Sequence, residues 1–202
     1  LREGILKTKY MKQDLINGTN DEYYTHEYSI KPLLKYVKSG STVWCPFDPP
    51  QSRFVTEFEK HGCKVIRTHI AENGDFFEID TPECDYIISN PPYSCKAQVF
   101  KKLFETGKPF AMLIGIEGIF GSKERFELFK SNEIEIMYFD TRVKYMNSYD
   151  IEGTNTNPPY ASAYMCSKLL PKQIVFEALA KKEKKKIATT NAQSKNECSA
   201  CV

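Results

Sequence analysis

The chain lacks an apolar run long enough to cross a bilayer. The longest, Phe110 to Phe120, is broken by Glu117, whereas a spanning helix needs about 20 consecutive apolar residues. No membrane association is expected. The first residues, with Arg2, Glu3, Lys7, Lys9, Lys12 and Asp14, leave no room for the apolar segment of a secretory leader. Histidine is scarce, and His26, His61 and His69 stand at no metal-ligand spacing with Cys or carboxylate, so no metal centre is expected. Seven cysteines, Cys45, Cys63, Cys84, Cys95, Cys166, Cys198 and Cys201, are odd in number and irregular in spacing. That argues against a disulfide framework and for a reducing, cytoplasmic setting. Cys198 and Cys201 form a CxxC with no second ligand pair beside it, which reads as part of a loose tail.

What is present is an ordinary globular composition, 41% hydrophobic and 27% charged, over a length that supports one core. A net charge of +2 conceals an asymmetry, because residues 168–202 hold eight Lys against three Glu. The body before them is mildly acidic, so a polyanionic partner would need a localised basic surface or the tail. The organisation expected is an N-terminal extension over 1–20, a folded domain over 21–186 and a polar, disordered tail over 187–202.

Within the body, Ile30, Leu33, Leu34 and Val37 recur at helical spacing after Thr25, a candidate cap, although Pro32 interrupts the pattern. Ser41 to Cys45 reads as a strand running into Pro46 and Pro49-Pro50. Phe54, Val55 and Phe58 mark a helix stopped by Gly62, and Lys64 to Ile70 a second strand. Asp85 to Ser89 is a third strand, ending at Asn90-Pro91-Pro92. A helix through Val99, Leu103 and Phe104 ends at Gly107, and Phe110 to Ile114 is the next strand. Lys123 to Lys130 reads as a helix and Glu133 to Phe139 as a strand. Arg142 to Pro159 reads as a long surface loop, Tyr160 to Cys166 as a last strand, and Lys172 to Lys186 as a terminal helix. Alternation of this kind indicates an α/β sheet with helices on both faces.

The chemical signal is Asn90-Pro91-Pro92-Tyr93, placed directly after an apolar strand. Ligands of open α/β sheets bind at the carboxyl ends of strands. An exocyclic amine on adenine is a poor nucleophile because its lone pair is delocalised into the ring. The Asn90 amide oxygen and the Pro91 carbonyl can take its two N–H hydrogens, draw the nitrogen toward tetrahedral geometry and stabilise the charge that develops there. The prolines fix φ and remove competing donors, and Tyr93 offers a face for a planar base. For a base in duplex DNA the nucleotide must leave the stack.

This tetrapeptide resembles the hallmark of the S-adenosylmethionine-dependent amino-group methyltransferases, and from about Asp21 to Leu170 the order of motifs is similar to that of small phage and prophage DNA N6-adenine methyltransferases. The resemblance implies a Rossmann-like class I methyltransferase sheet and S-adenosylmethionine as cofactor. It implies Asn90, Pro91, Pro92 and Tyr93 as the catalytic segment. Tyr24 and Thr25, Pro46, Phe47 and Asp48, His69 and Ile70, and Asp75 and Phe76 are implied as cofactor-binding. The family's first motif is acidic and glycine-rich, whereas Cys45 to Pro50 has no glycine and Asp48 would supply the carboxylate. The second strand ends in Thr68-His69-Ile70, where the family places an acid for the ribose.

DNA is the partner implied, with a specificity subunit or a second copy of the chain where the Arg142 to Pro159 loop does not suffice for recognition. Two other readings stay open: transfer to a protein glutamine or an RNA base amine, and a noncatalytic nucleic-acid-binding accessory protein. A second copy of the motif, Asn157-Pro158-Pro159-Tyr160, follows a polar loop and reads as a turn into the last strand. The lysines from 181 to 186 read as a solvated helix end.

Overall fold

A computed structural model describes residues 24–72, 74–146, 155–156 and 160–179. The expected extension over 1–20, the tail over 187–202 and the second motif's Asn157, Pro158 and Pro159 lie outside these. The elements run β1 (Tyr24–Thr25), α1 (Glu27–Leu34), β2 (Thr42–Cys45), α2 (Arg53–Lys60), β3 (Lys64–Arg67), β4 (Tyr86–Ser89), a 3-10 turn (Tyr93–Cys95), α3 (Lys96–Thr106), β5 (Phe110–Gly115), α4 (Lys123–Lys130), β6 (Glu135–Phe139), β7 (Tyr145–Met146), β8 (Asn155–Thr156), β9 (Ser162–Ser167) and β10 (Ile174–Glu177).

Seven strands form one sheet in the order β10-β6-β9-β5-β4-β2-β3. All its neighbours pair parallel except β9, which runs antiparallel to both β5 and β6. From β2 the chain first adds β3 on one side, then returns to lay β4 on the other. The strand order therefore reverses between β2 and β4, the place where Rossmann-like sheets bind ligands.

The pleat sorts alternate residues to opposite faces, and the two cores follow it. Val43, Cys45, Ile88, Ala111, Leu113, Tyr164 and Cys166 pack with Ile30 and Leu33 of α1 and Phe54 and Phe58 of α2. Trp44, Ile87, Phe110, Met112, Ile114 and Met165 pack with Val99, Phe100 and Leu103 of α3 and Phe129 of α4. Helices thus cover both faces, as expected for a Rossmann-like α/β fold, and the central β5 is buried along its whole length because it has no solvent side. Gly62 and Gly107, at φ 87° and 65°, end α2 and α3 in the left-handed conformation that favours glycine.

Several local expectations change. Thr25 caps nothing: it is paired in β1 with Tyr145 of β7, and the N-cap position belongs to His26 without a side-chain cap bond. Pro32 does sit inside α1, which ends two residues later. The second strand stops at Arg67, so Thr68, His69 and Ile70 belong to a turn. The Arg142 to Pro159 loop contains β7 and β8, which with β1 make a small antiparallel sheet. The terminal helix over Lys172 to Lys186 is replaced, in its described part, by edge strand β10. There Val175 alone is buried in the strand while Phe176 is 76% exposed and stacks on Tyr138. Lys35 and Tyr36 both bond the Glu177 carboxylate and tie β10 to the end of α1.

One core feature gives a direct test of packing. Tyr164 is fully buried on β9 and its hydroxyl has no hydrogen-bond partner among the described residues, and burial pushes its phenol well above the ordinary value. An unsatisfied buried hydroxyl costs on the order of 1–3 kcal/mol. Tyr164→Phe should therefore unfold at an equal or higher temperature than wild type. A fall in midpoint on thermal melting would contradict this accounting.

Candidate cofactor and catalytic site

The carboxyl ends of β2, β3 and β4 meet at the point where the strand order reverses. Trp44 Nε1 donates to Thr68 Oγ1 at 3.1 Å, Thr68 Oγ1 donates to the Pro46 carbonyl at 3.3 Å, and Asp48 N donates to the Thr68 carbonyl at 3.2 Å. The glycine-free loop after β2 is thus held by the turn after β3. Its prolines suit it to that rigid role. Ser52 closes the loop by capping α2, accepting from Phe54 N at 3.2 Å. His69 and Ile70 are half-buried in that turn, where His69 Nδ1 accepts from Ala71 N at 3.4 Å.

Asp48 is 4% exposed, and both its oxygens are taken. Oδ1 accepts from Ser52 Oγ and Oδ2 from Ser89 Oγ, each at 2.5 Å. It binds the first loop to the end of β4. Ser52 and Ser89 were not legible as site residues, since nothing local marks two serines as partners of one acid.

Burial pushes the Asp48 carboxyl up to about 6 from 3.8, and the two serine hydroxyls pull it partway back. Because the folded value is raised, the protonated acid is favoured in the fold, and its contribution to stability is lost as pH rises through about 6. Between pH 4.5 and 7.5 the wild type should lose about 2 kcal/mol relative to Asp48→Asn. Urea denaturation of both proteins at the two pH values measures this, and a pH-independent gap between them would refute it.

Between β3 and β4, Asp75 begins a single helical turn. Its Oδ1 accepts from Phe77 N at 3.0 Å, and its carbonyl accepts from Glu78 N and Ile79 N. At the far end of that turn Lys102 Nζ, from α3, donates to the Phe76 and Ile79 carbonyls at 2.6 Å each and lies 5.1 Å from the Phe76 ring centre. A cation at the carbonyl end of a helical turn complements its dipole. Phe76 in turn packs against Trp44 and Phe47, at 5.5 and 4.8 Å between ring centres. Phe47 and Phe76, expected beside the cofactor, are therefore brought together, and Lys102 is the clamp that sequence reading missed.

The last components come from the small sheet. Tyr145 OH bonds Ser162 Oγ at 2.8 Å, and Ser162 pairs with Gly115, the last residue of β5. This draws β7, and with it Tyr24 and Thr25, to the carboxyl end of the main sheet. Two buried polar atoms in the predicted cofactor set have no hydrogen-bond partner among the described residues: Thr25 Oγ1 and Asp75 Oδ2. Buried polar groups are nearly always satisfied, so orphans among the residues expected to hold the cofactor suit groups that would meet a ligand's polar atoms. Asn90 is half-buried at the end of β4 and Pro91 is buried. The Tyr93 side chain lies outside the described residues, but its backbone opens the 3-10 turn into α3. Lys96 Nζ, at the start of α3, reaches the Gly115 carbonyl at 3.4 Å. Among the described residues no cluster of His, Cys, Asp or Glu could hold a metal ion, and no helix is long and apolar enough to cross a membrane.

No protein-family model matches the chain, and no curated protein matches it significantly. Among solved structures it is similar to a modification subunit assigned to a type I restriction enzyme of Vibrio vulnificus YJ016, with 11% identity and a TM-score of 0.48 over 80% of this chain and 47% of that one. It is also similar to a TehB-like SAM-dependent methyltransferase from Corynebacterium glutamicum, with 13% identity and a TM-score of 0.43 over 82% of this chain and 98% of that one. A dimethyladenosine transferase from Plasmodium falciparum matches with 15% identity and a TM-score of 0.44 over 75% of this chain and 64% of that one. The chain thus spans about half the length of the restriction-enzyme subunit. These are likenesses of fold; the strand order and its reversal define that fold independently.

Proposed function

We propose that this chain is an S-adenosylmethionine-dependent methyltransferase acting on the exocyclic N6 amine of adenine in DNA. The observation that carries the reading is the position of Asn90-Pro91-Pro92 at the carboxyl end of β4, beside the reversal of strand order. The solved structures of similar fold include methyltransferases, one of them named for adenosine, which agrees with the reading without carrying it.

The bound cofactor would supply an electrophilic methyl group on a sulfonium. Asp75 Oδ2 is suited to accept from its adenine amine, with Phe47 and Phe76 against the ring, and Thr25 Oγ1 to meet its polar amino-acid end. Tyr24, Pro46, His69 and Ile70 complete the surface around it. Asn90 Oδ1 and the Pro91 carbonyl hold the two hydrogens of the substrate amine and aim its lone pair at the methyl group. The Asn90 amide oxygen is shielded from water, where a hydrogen bond is electrostatically stronger than in solvent. Tyr93 would give the extruded base a face to stack on; as N–CH3 formed, the S–CH3 bond would break to leave a neutral thioether, and the methylated amine would release one N–H proton to solvent. No covalent intermediate with the protein is needed.

The test is incubation of the protein with methyl-labelled cofactor and adenine-containing DNA, followed by nucleoside analysis. N6-methyladenine is the expected product. Label confined to protein or RNA would move the substrate to a glutamine or RNA amine, and calorimetry showing no cofactor binding would leave a noncatalytic accessory protein. DNA as partner, and a specificity subunit or second copy as a source of recognition, are part of the same proposal.

A further inference from the structure

The ladder between β2 and β4 ends at the pair Trp44–Ile87. Beyond it Asp48, in the loop after β2, joins that loop to Ser89, the last residue of β4. Its Oδ1 takes the Ser52 hydroxyl, its Oδ2 takes the Ser89 hydroxyl, and Asn90 follows Ser89 directly. Ser52 and Ser89 are both fully buried, so neither hydroxyl has water as an alternative. A buried carboxylate is an expensive way to join two loops; an apolar contact would serve as well if joining them were its whole purpose. What the acid adds is direction, because a hydrogen bond on each of its two oxygens restrains its plane and holds the turn at Ser89 to one geometry. Acceptors that must hold an amine in line with a methyl donor tolerate only about 0.5 Å of error.

We propose that Asp48 is a positioning residue for Asn90, acting through the Ser89 hydroxyl, and that it does not hold the cofactor. The inference rests on the proposed transfer at Asn90 and departs from the role that the resemblance assigned to Asp48. The loop that carries the cofactor and the strand that carries the amine acceptor are then coupled through one side chain. The acceptor pair is thereby set relative to the donor by the same group that shapes the donor's loop.

Asp48→Asn, Ser89→Ala and the double variant separate the possibilities in the full chain. Initial rates over a range of cofactor give kcat and KM, and calorimetry with S-adenosylhomocysteine gives affinity and the fraction of molecules competent to bind. Each single variant should lose about 10–100-fold in kcat, the scale expected for a misplaced reacting group, at full binding stoichiometry and with cofactor affinity within about two-fold. The double variant should be no worse than the worse single, because both changes break one link. Cofactor affinity that falls while kcat holds would make Asp48 a cofactor ligand and overturn the inference. So would unchanged kcat in Ser89→Ala, or losses explained by reduced stoichiometry. A wild-type chain that neither binds cofactor nor methylates overturns the underlying transfer reading instead.

Discussion

Asn90→Ala is expected to lower the rate of methyl transfer by about 10³-fold while leaving cofactor affinity within about two-fold, the signature of an interaction made chiefly in the transition state. The reason is electronic. The amine nitrogen of adenine has little basicity while its lone pair is shared with the ring, and two acceptors on its hydrogens are what localise that pair. Removing the amide oxygen leaves the Pro91 carbonyl as one acceptor of the two, so the nitrogen keeps its planar geometry and the positive charge of the transition state loses half its support. Asn90→Asp keeps an acceptor of similar shape and should retain more activity than alanine. Steady-state rates with saturating DNA, beside calorimetric affinity for S-adenosylhomocysteine, distinguish the outcomes. If Asn90→Ala turned over at the wild-type rate, the amine would be activated elsewhere and the proposed chemistry would be wrong. If it lost cofactor affinity in parallel, Asn90 would belong to the cofactor's site.

The central part of the fold was legible from the sequence for a physical reason. Strands β2, β4 and β5 are buried on both faces, so they read as unbroken apolar runs bounded by Pro, Gly or Asn. Gly62 and Gly107 marked helix ends because their φ values are ones other residues avoid. The failures lie where tertiary pairing outweighs local preference. β10 holds four residues and buries only one of them within the strand, while the Glu177-Ala-Leu-Ala-Lys-Lys sequence that follows is rich in helix formers. Its strand is set by the free edge of β6 and by the bonds from Lys35 and Tyr36. β1 and β7 are two residues each, too short to carry any periodicity. In the site, Asn90 was legible because strand and motif are contiguous. The partnership of Asp48 with Ser89 spans 41 residues and that of Lys102 with Phe76 spans 26, so no local pattern announces either.

Asp75→Asn tests the cofactor side with effects of opposite kind on binding and folding. Asp75 Oδ1 is committed to Phe77 N, and Oδ2 is buried with no partner among the described residues. Asparagine keeps the first bond and is as good a cap for the turn, which forces its amide nitrogen into the place of Oδ2. The acceptor that would face the adenine amine becomes a donor, and two donors cannot bond each other. Cofactor affinity should fall by about 10–100-fold, the cost of losing a hydrogen bond to a charged acceptor. The empty protein loses no existing bond, so its stability should stay within about 1 kcal/mol of wild type. A residue held in place for packing alone would behave the other way, with stability lost and binding affected only through the unfolded fraction. Titration calorimetry with S-adenosylhomocysteine and thermal melting of the same samples separate the two. Undiminished affinity would remove Asp75 from the site, and with it the orphaned oxygen as a mark of the adenine's position. Lys102→Met offers the complementary case, because it frees the carbonyls of Phe76 and Ile79 without touching the acceptor itself. It should therefore weaken binding less than Asp75→Asn while destabilising the turn more.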